Sequence, residues 1–175
     1  MDDLLDVARI TQGKIELRRE KLDLNELLRT ATEADMPQVE GKHPHVAVSL
    51  APEPLVIDGD SMRLAQVFAN LLHNAAKFTP PDGRIDVTSR RDGDLAVVSV
   101  RDDGCGIGAD KLPRVFDLFN QAHRTVGSER GIGVGLALAR SIVGLHGGEV
   151  QAFSEGPGKG SEFRVSLPLV DGRSS

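Results

Sequence analysis

The sequence predicts an α+β two-layer sandwich: a mixed, mainly antiparallel sheet with helices packed on one face. Three observations predict it. Two stretches, residues 83–103 and 147–169, read as hairpins with alternating apolar residues around a glycine-bearing turn. Between earlier strand-like runs and the first hairpin lies one strongly amphipathic helix, Asp60 to Phe78. Helical and extended patterns follow one another in mixed order, without an internal repeat.

Taken in order, residues 1–12 carry Leu4, Leu5, Val7 and Ala8 at helical spacing, and Gly13 reads as the stop. The stretch begins without a cap, as the tail of a longer helix would. "KIELRREKLDL", with Ile15 and Leu17 alternating, reads as a short strand. "NELLRTATEADMPQV" reads as a helix, and "HVAVSLAPEPLVI" as one or two strands around a proline break. In the Asp60–Phe78 segment Leu64, Val67, Phe68, Leu71, Ala75 and Phe78 recur at steps of three and four and make one buried face. Asp60 or Ser61 is the expected cap, and Thr79, Pro80 and Pro81 the expected stop. In the first hairpin Ile85 and Val87 alternate, Asp92-Gly93 turns, and Leu95 to Val100 returns. Lys111 to Phe119 reads as a short helix, Asn120 to Arg130 as a polar loop, and Val134 to Leu145 as a helix. The second hairpin has the glycine-rich turn "GPGKG".

Composition narrows the function. A net charge of -5 without a long basic block argues against a nucleic-acid platform. The single cysteine, Cys105, excludes an internal disulfide and fits a reducing compartment. No apolar run approaches the roughly 20 residues that span a bilayer. A cytoplasmic location is expected, with any membrane anchor of a parent protein outside this sequence.

Several groups of residues suggest chemistry. At about 100° per residue, Arg63, Gln66, Asn70, Asn74 and Lys77 share one stripe of the long helix, away from its apolar face. Such stripes are usually solvated surface. Two asparagines four apart are nevertheless poor helix formers, and their amide oxygens suit a hard cation such as Mg2+. A lysine one turn on would neutralise phosphate. In "VRDDGCGIG", the parity of Ala96, Val98 and Val100 puts Asp102 on the same face. A carboxylate there needs donors. An adenine amino group and a turn closed on the aspartate's own backbone are equally good candidates. The run "RGIGVGLALAR" fits neither the dinucleotide fingerprint nor the Walker pattern. It leaves backbone N–H groups at a helix start, which favour an anion.

In this order, "NLLHNAAKF", "DDGCGIG", "FDLF", "GIGVGLALA" and "GKGSEF" resemble the N, G1, F, G2 and G3 boxes of sensor histidine kinases, within the ATP-binding superfamily that includes gyrase, Hsp90 and MutL. The resemblance covers about Leu22 to Leu169. It implies residues 1–20 as the end of a dimerisation and phosphoacceptor helix with its connector, residues 21–170 as the ATP-binding catalytic domain, and residues 171–175 as a tail. It implies ATP and Mg2+ as ligands. Asn74 would bind the metal. Asn70 and Lys77 would touch phosphates, and Asp102 would accept from the adenine amino group. Gly104 and Gly106 would let the backbone approach the base. Ile107, Leu136 and Ser161 would also lie at the nucleotide. Phe116 and Phe119 would anchor a lid at Asn120 to Arg130, with Phe119 reaching the ligand. Gly131, Gly133 and Gly135 would form its hinge and phosphate contact. Arg124 and Arg130 are candidate lid cations for the terminal phosphate.

The resemblance further implies transfer of the γ-phosphoryl group to a histidine on a dimerisation domain, and from there to a response regulator's receiver domain. The parent would be a homodimer, and this chain a monomer or weak dimer. None of the five histidines, His43, His45, His73, His123 and His146, fits an acceptor motif, and all read as surface or partly packed. Hydrolytic relatives place a glutamate four residues before the metal asparagine. Here Asn70 stands there and cannot act as a base. Asp103 adds negative charge beside the nucleotide, and Cys105 reads as a small buried packing residue. The rival readings are a nucleotide-holding regulatory module, disfavoured by the intact boxes, and an anti-sigma-type serine kinase, disfavoured by the dimerisation-like start.

Overall fold

The computed structural model describes residues 16–35, 45–80, 82–116 and 134–170. Their elements run β1 (Glu20–Asp23), α1 (Leu24–Asp35), β2 (His45–Ser49), β3 (Val56–Gly59), α2 (Ser61–Phe78), β4 (Arg84–Asp92), β5 (Leu95–Asp102), α3 (Val134–Leu145), β6 (Glu149–Phe153) and β7 (Ser161–Pro168). Five strands form one sheet in the order β2-β4-β5-β7-β6. Every pairing in it is antiparallel except β2 with β4. β1 and β3 form a separate antiparallel ribbon. The fold is therefore the α+β sandwich that the pattern predicts.

Alternation decides which face is covered. Ile85 and Val87 of β4, Ala96, Val98 and Val100 of β5, Val150 of β6, and Phe163, Val165 and Leu167 of β7 are all buried. They meet Leu64, Val67, Phe68, Leu71 and Ala75 of α2 and Leu138, Ile142 and Val143 of α3 in one core. Two of the helices, α1 and α2, are started by their own sequence. The Asp23 carboxylate accepts from the Asn25 N–H at 3.0 Å, capping α1, and the Asp60 carboxylate accepts from the Arg63 N–H at 3.1 Å, capping α2. Thr79 ends α2 in extended geometry.

Four expectations need correction. Among the described residues of the expected stretch the first strand occupies Glu20–Asp23, because its partner β3 is four residues long and gives way to the Asp60 cap. Lys111 to Phe119 does not make an α-helix over its described part. It makes one 3-10 turn, Leu112–Arg114, in which the Arg114 and Val115 N–H groups donate only three residues back, to the Lys111 and Leu112 carbonyls. Cys105 is exposed rather than buried, because the glycines on either side pack their backbones inward.

His146 is the fourth. It is buried, at 5% exposure. Its Nε2 accepts the Asp60 N–H at 3.0 Å, so its proton sits on Nδ1, which donates to the Ile142 carbonyl at 2.8 Å. Burial holds the imidazole below its ordinary value, outweighing the Ile142 carbonyl and the Asp60 and Asp58 charges that pull the other way. The unfolded chain therefore takes up this proton first. Its contribution to stability is complete above the unfolded value of 6.5 and is lost as pH falls from there through the lower folded value. Replacing His146 with Phe strands the Asp60 N–H and is expected to cost about 1–3 kcal/mol. Urea unfolding at pH values above and below 6.5 would show the wild type weakening on acidification and the variant largely insensitive.

Candidate functional site

Two corners of the fold bring the predicted residues together. At the first, α2 faces the start of α3. The Asn70 Nδ2 donates to the Gly135 carbonyl at 3.1 Å, joining the asparagine stripe to the glycine run. A methyl on Gly135 would lie 3.6 Å from Asn70 Cγ, in ordinary contact with that side chain. Asn74, one turn further on, is half-buried. Lys77 is also half-buried, with its Nζ 5.5 Å from the Phe78 ring centroid. Burial holds this ammonium below the usual lysine value. A partly desolvated cation gains from any anion placed beside it.

The second corner is the end of β5. Asp102 keeps the parity of Val98 and Val100 and is buried, at 5% exposure. Its Oδ1 accepts the Gly104 N–H at 2.8 Å, which is the turn closed on its own backbone. Its Oδ2 accepts from the Ser161 hydroxyl at 2.9 Å. Both readings of this aspartate thus remain compatible, since each carboxylate oxygen has two lone-pair directions. Burial pushes the carboxyl above its ordinary value, against the lowering effect of the Gly104 and Ser161 donors and with help from the Asp103 charge. The Asp103 carboxylate is exposed and accepts the Arg84 N–H at 2.9 Å, so it is turned toward the start of β4.

The two corners are stitched to each other and to the β6–β7 turn. The Phe78 carbonyl at the end of α2 accepts the Cys105 N–H at 3.3 Å. The Gly158 N–H donates to the Cys105 carbonyl at 2.7 Å, and the Gly160 N–H to the Gly104 carbonyl at 3.1 Å. A side chain on Gly104 would strike the Phe78 carbonyl, and one on Gly106 the Gly156 carbonyl. The crowding that demands these glycines is thus protein backbone. Ile107 is buried in the core, and its N–H donates to the Ser154 hydroxyl oxygen at 3.0 Å. Sequence reasoning missed Ser154, whose hydroxyl also donates to the Gly160 carbonyl at 2.7 Å. Nothing in the local pattern marks it, because its contact with Ile107 joins its own turn to another loop. Leu136 is half-buried against the core. Phe116 packs edge-on against Phe163 with centroids 5.8 Å apart. Phe119, Arg124, Arg130, Gly131 and Gly133, and the loop Asn120 to Arg130, lie outside the described residues.

Among the described residues no group of three or more His, Cys, Asp or Glu side chains converges on a metal position. A divalent cation at the α2 corner would therefore take an amide oxygen and complete its shell from water and from a ligand's oxygens, which is how Mg2+ commonly sits on phosphates. The asparagine stripe fits such a role.

Comparison with known proteins identifies the family. The family model described as histidine kinase-, DNA gyrase B-, and HSP90-like ATPase matches residues 59–171. The sensor histidine kinase RcsC of Escherichia coli is 36% identical over 171 residues, which is 97% of this chain and 18% of that protein. This chain therefore spans less than a fifth of RcsC. Full-length ShkA, solved in complex with AMPPNP, superposes with a TM-score of 0.83 at 33% identity over 97% of this chain and 35% of that one. The catalytic domain of the histidine kinase ThkA superposes with a TM-score of 0.75 at 26% identity, covering 89% of this chain and 97% of its own. Both the sequence match and the shape place this chain in the histidine kinase-, DNA gyrase B-, and HSP90-like ATPase family, as a histidine kinase ATP-binding catalytic domain.

Proposed function

We propose that this chain binds Mg-ATP between α2, the end of β5 and the start of α3, and presents the γ-phosphoryl group to a histidine on the dimerisation domain of a parent sensor kinase. The observation that carries the reading is the pairing of a buried acceptor, Asp102, with a half-buried amide and lysine stripe on α2, joined at the Cys105–Phe78 contact. The residues divide the work. Asp102 accepts from the adenine amino group, with Ser161 and the Gly104 N–H fixing its carboxylate. Asn74 offers an amide oxygen to the metal. Lys77 and Asn70 lie along the phosphates, and the first N–H groups of α3 face the same anion. Bound Mg2+ would spread the charge that develops on the transferring phosphoryl oxygens.

Asn70 supplies no base and is held on the Gly135 carbonyl. Water is therefore poorly activated, and the terminal phosphate is kept for a better nucleophile. Transfer breaks the bond between the γ-phosphorus and the bridging oxygen, forms a phosphorus–nitrogen bond to the acceptor imidazole, and releases ADP. A response regulator's receiver aspartate would take the group next. In this proposal residues 1–20 belong to the acceptor helix and its connector.

A mixing assay tests the reading. Labelled ATP, this chain and a separately made dimerisation domain carrying its histidine are expected to give acid-labile label on that domain. Asn74→Ala is expected to abolish the Mg2+-dependent part of ATP binding. ATP affinity without transfer would favour a regulatory module, and rapid phosphate release without acceptor would favour a hydrolase.

A further inference from the structure

The carbonyl end of α3 is closed by groups from three places. The Ile142 carbonyl accepts from His146 Nδ1, the Val143 carbonyl from the Gly148 N–H at 3.0 Å, and the Gly144 carbonyl from the Gly147 N–H at 3.0 Å. The Leu145 carbonyl accepts from Arg19 Nη2 at 2.8 Å, across 126 residues of sequence. The same guanidinium reaches the Asp58 carbonyl through Nη1 at 3.3 Å. Its neighbour, the Arg18 N–H, donates to Asp60 Oδ2 at 3.0 Å, on the cap of α2. Two consecutive residues ahead of β1 thus grip the start of α2 and the end of α3. These are the two helices that meet again at the Asn70–Gly135 bond. A helix of 12 residues is a stiff rod about 18 Å long. Moving its carbonyl end moves its amino end.

We propose that Arg19 is a positioning residue. Through it the segment preceding β1 sets where α3 lies against α2, and so how the Gly135 backbone meets Asn70. The proposal rests on the reading that α2 and α3 hold the nucleotide. A cation on a helix carbonyl end is favourable, and here it is also the tether that carries displacement of that segment into the site. The coupling is bounded by the contact it uses. Arg19 is exposed, so its loss is expected to change nucleotide affinity by about two- to fivefold.

The test uses the whole 175-residue chain. Arg19→Ala, Arg19→Lys and the neighbouring Lys21→Ala would be compared by amide hydrogen exchange without nucleotide and by AMPPNP affinity with Mg2+. Arg19→Ala is expected to raise exchange in the second turn of α3, at Leu138 to Arg140, whose amides are bonded within the helix next to Gly135, as well as in its last turn, and to weaken AMPPNP binding by the stated factor. Arg19→Lys keeps one donor and is expected to recover part of both effects, while Lys21→Ala changes neither. Faster exchange confined to the last turn, with unchanged affinity, would make Arg19 a local cap and overturn the proposal. If the unaltered chain binds no AMPPNP, the nucleotide reading fails, and exchange in the second turn still decides whether Arg19 places α3.

Discussion

Asp102→Ala is expected to weaken ATP binding by roughly 10- to 150-fold, equivalent to about 1.5–3 kcal/mol for a hydrogen bond to a buried charged acceptor. The effect is large because the group is buried and nothing replaces it. Its Oδ1 and Oδ2 are also the acceptors for Gly104 and Ser161, so the alanine variant loosens the loop as well. Asp102→Asn separates the two effects. An amide oxygen can keep the Gly104 bond, while the amide NH2 presents donors where the adenine amino group needs an acceptor. The asparagine variant should therefore unfold nearly as the parent does, yet lose ATP affinity and narrow the preference for ATP over GTP. Titration calorimetry with both nucleotides gives the ratio. An ATP affinity unchanged in Asp102→Asn would remove this carboxylate from base recognition. Because burial raises the Asp102 carboxyl, ATP affinity should also begin to fall at a higher pH than an ordinary aspartate would cause, as protonation removes the acceptor.

Gly106→Ala is expected to lower stability by about 3 kcal/mol, summing a left-handed backbone penalty of roughly 1–2 kcal/mol with the steric cost of parting two loops. Gly106 has φ 74°. The new methyl would meet the Gly156 carbonyl, which is backbone and cannot rotate away. The Gly158–Cys105 and Gly160–Gly104 bonds would stretch together, since the same two loops carry them. Gly93 supplies the control. It also has positive φ, 63°, but a Cβ there meets nothing within 4 Å. Gly93→Ala carries the same left-handed penalty without the clash and should cost only about 1–2 kcal/mol. Thermal unfolding of the pair separates crowding from backbone preference, and equal losses would show that the loop contact contributes little.

The long helix was legible because its apolar residues repeat along 18 positions and both caps are local chemistry. Asp102 was legible because parity along β5 continues to the strand end. The remaining features depend on partners far away in sequence. The parallel pairing of β2 with β4 leaves no mark within either strand. The burial of His146 comes from Asp60, 86 residues earlier. The polar stitching around Ser154 joins two loops that each read alone as a simple turn. The described part of Lys111 to Phe119 makes a 3-10 turn where its apolar spacing resembles the first turn of a helix.

The parallel edge pairing has a practical consequence for reporter insertions. To enter β4 in the direction of β2, the chain must travel back along the sheet, and α2 is that return path. A fluorescent module placed anywhere between Ser49 and Arg84 would thus break into the crossover that carries the asparagines. The Gly93–Asp94 turn lies where β4 meets β5, remote in register from Asp102, with open space around Gly93. It is the place where foreign sequence can be spliced in with the pocket left whole.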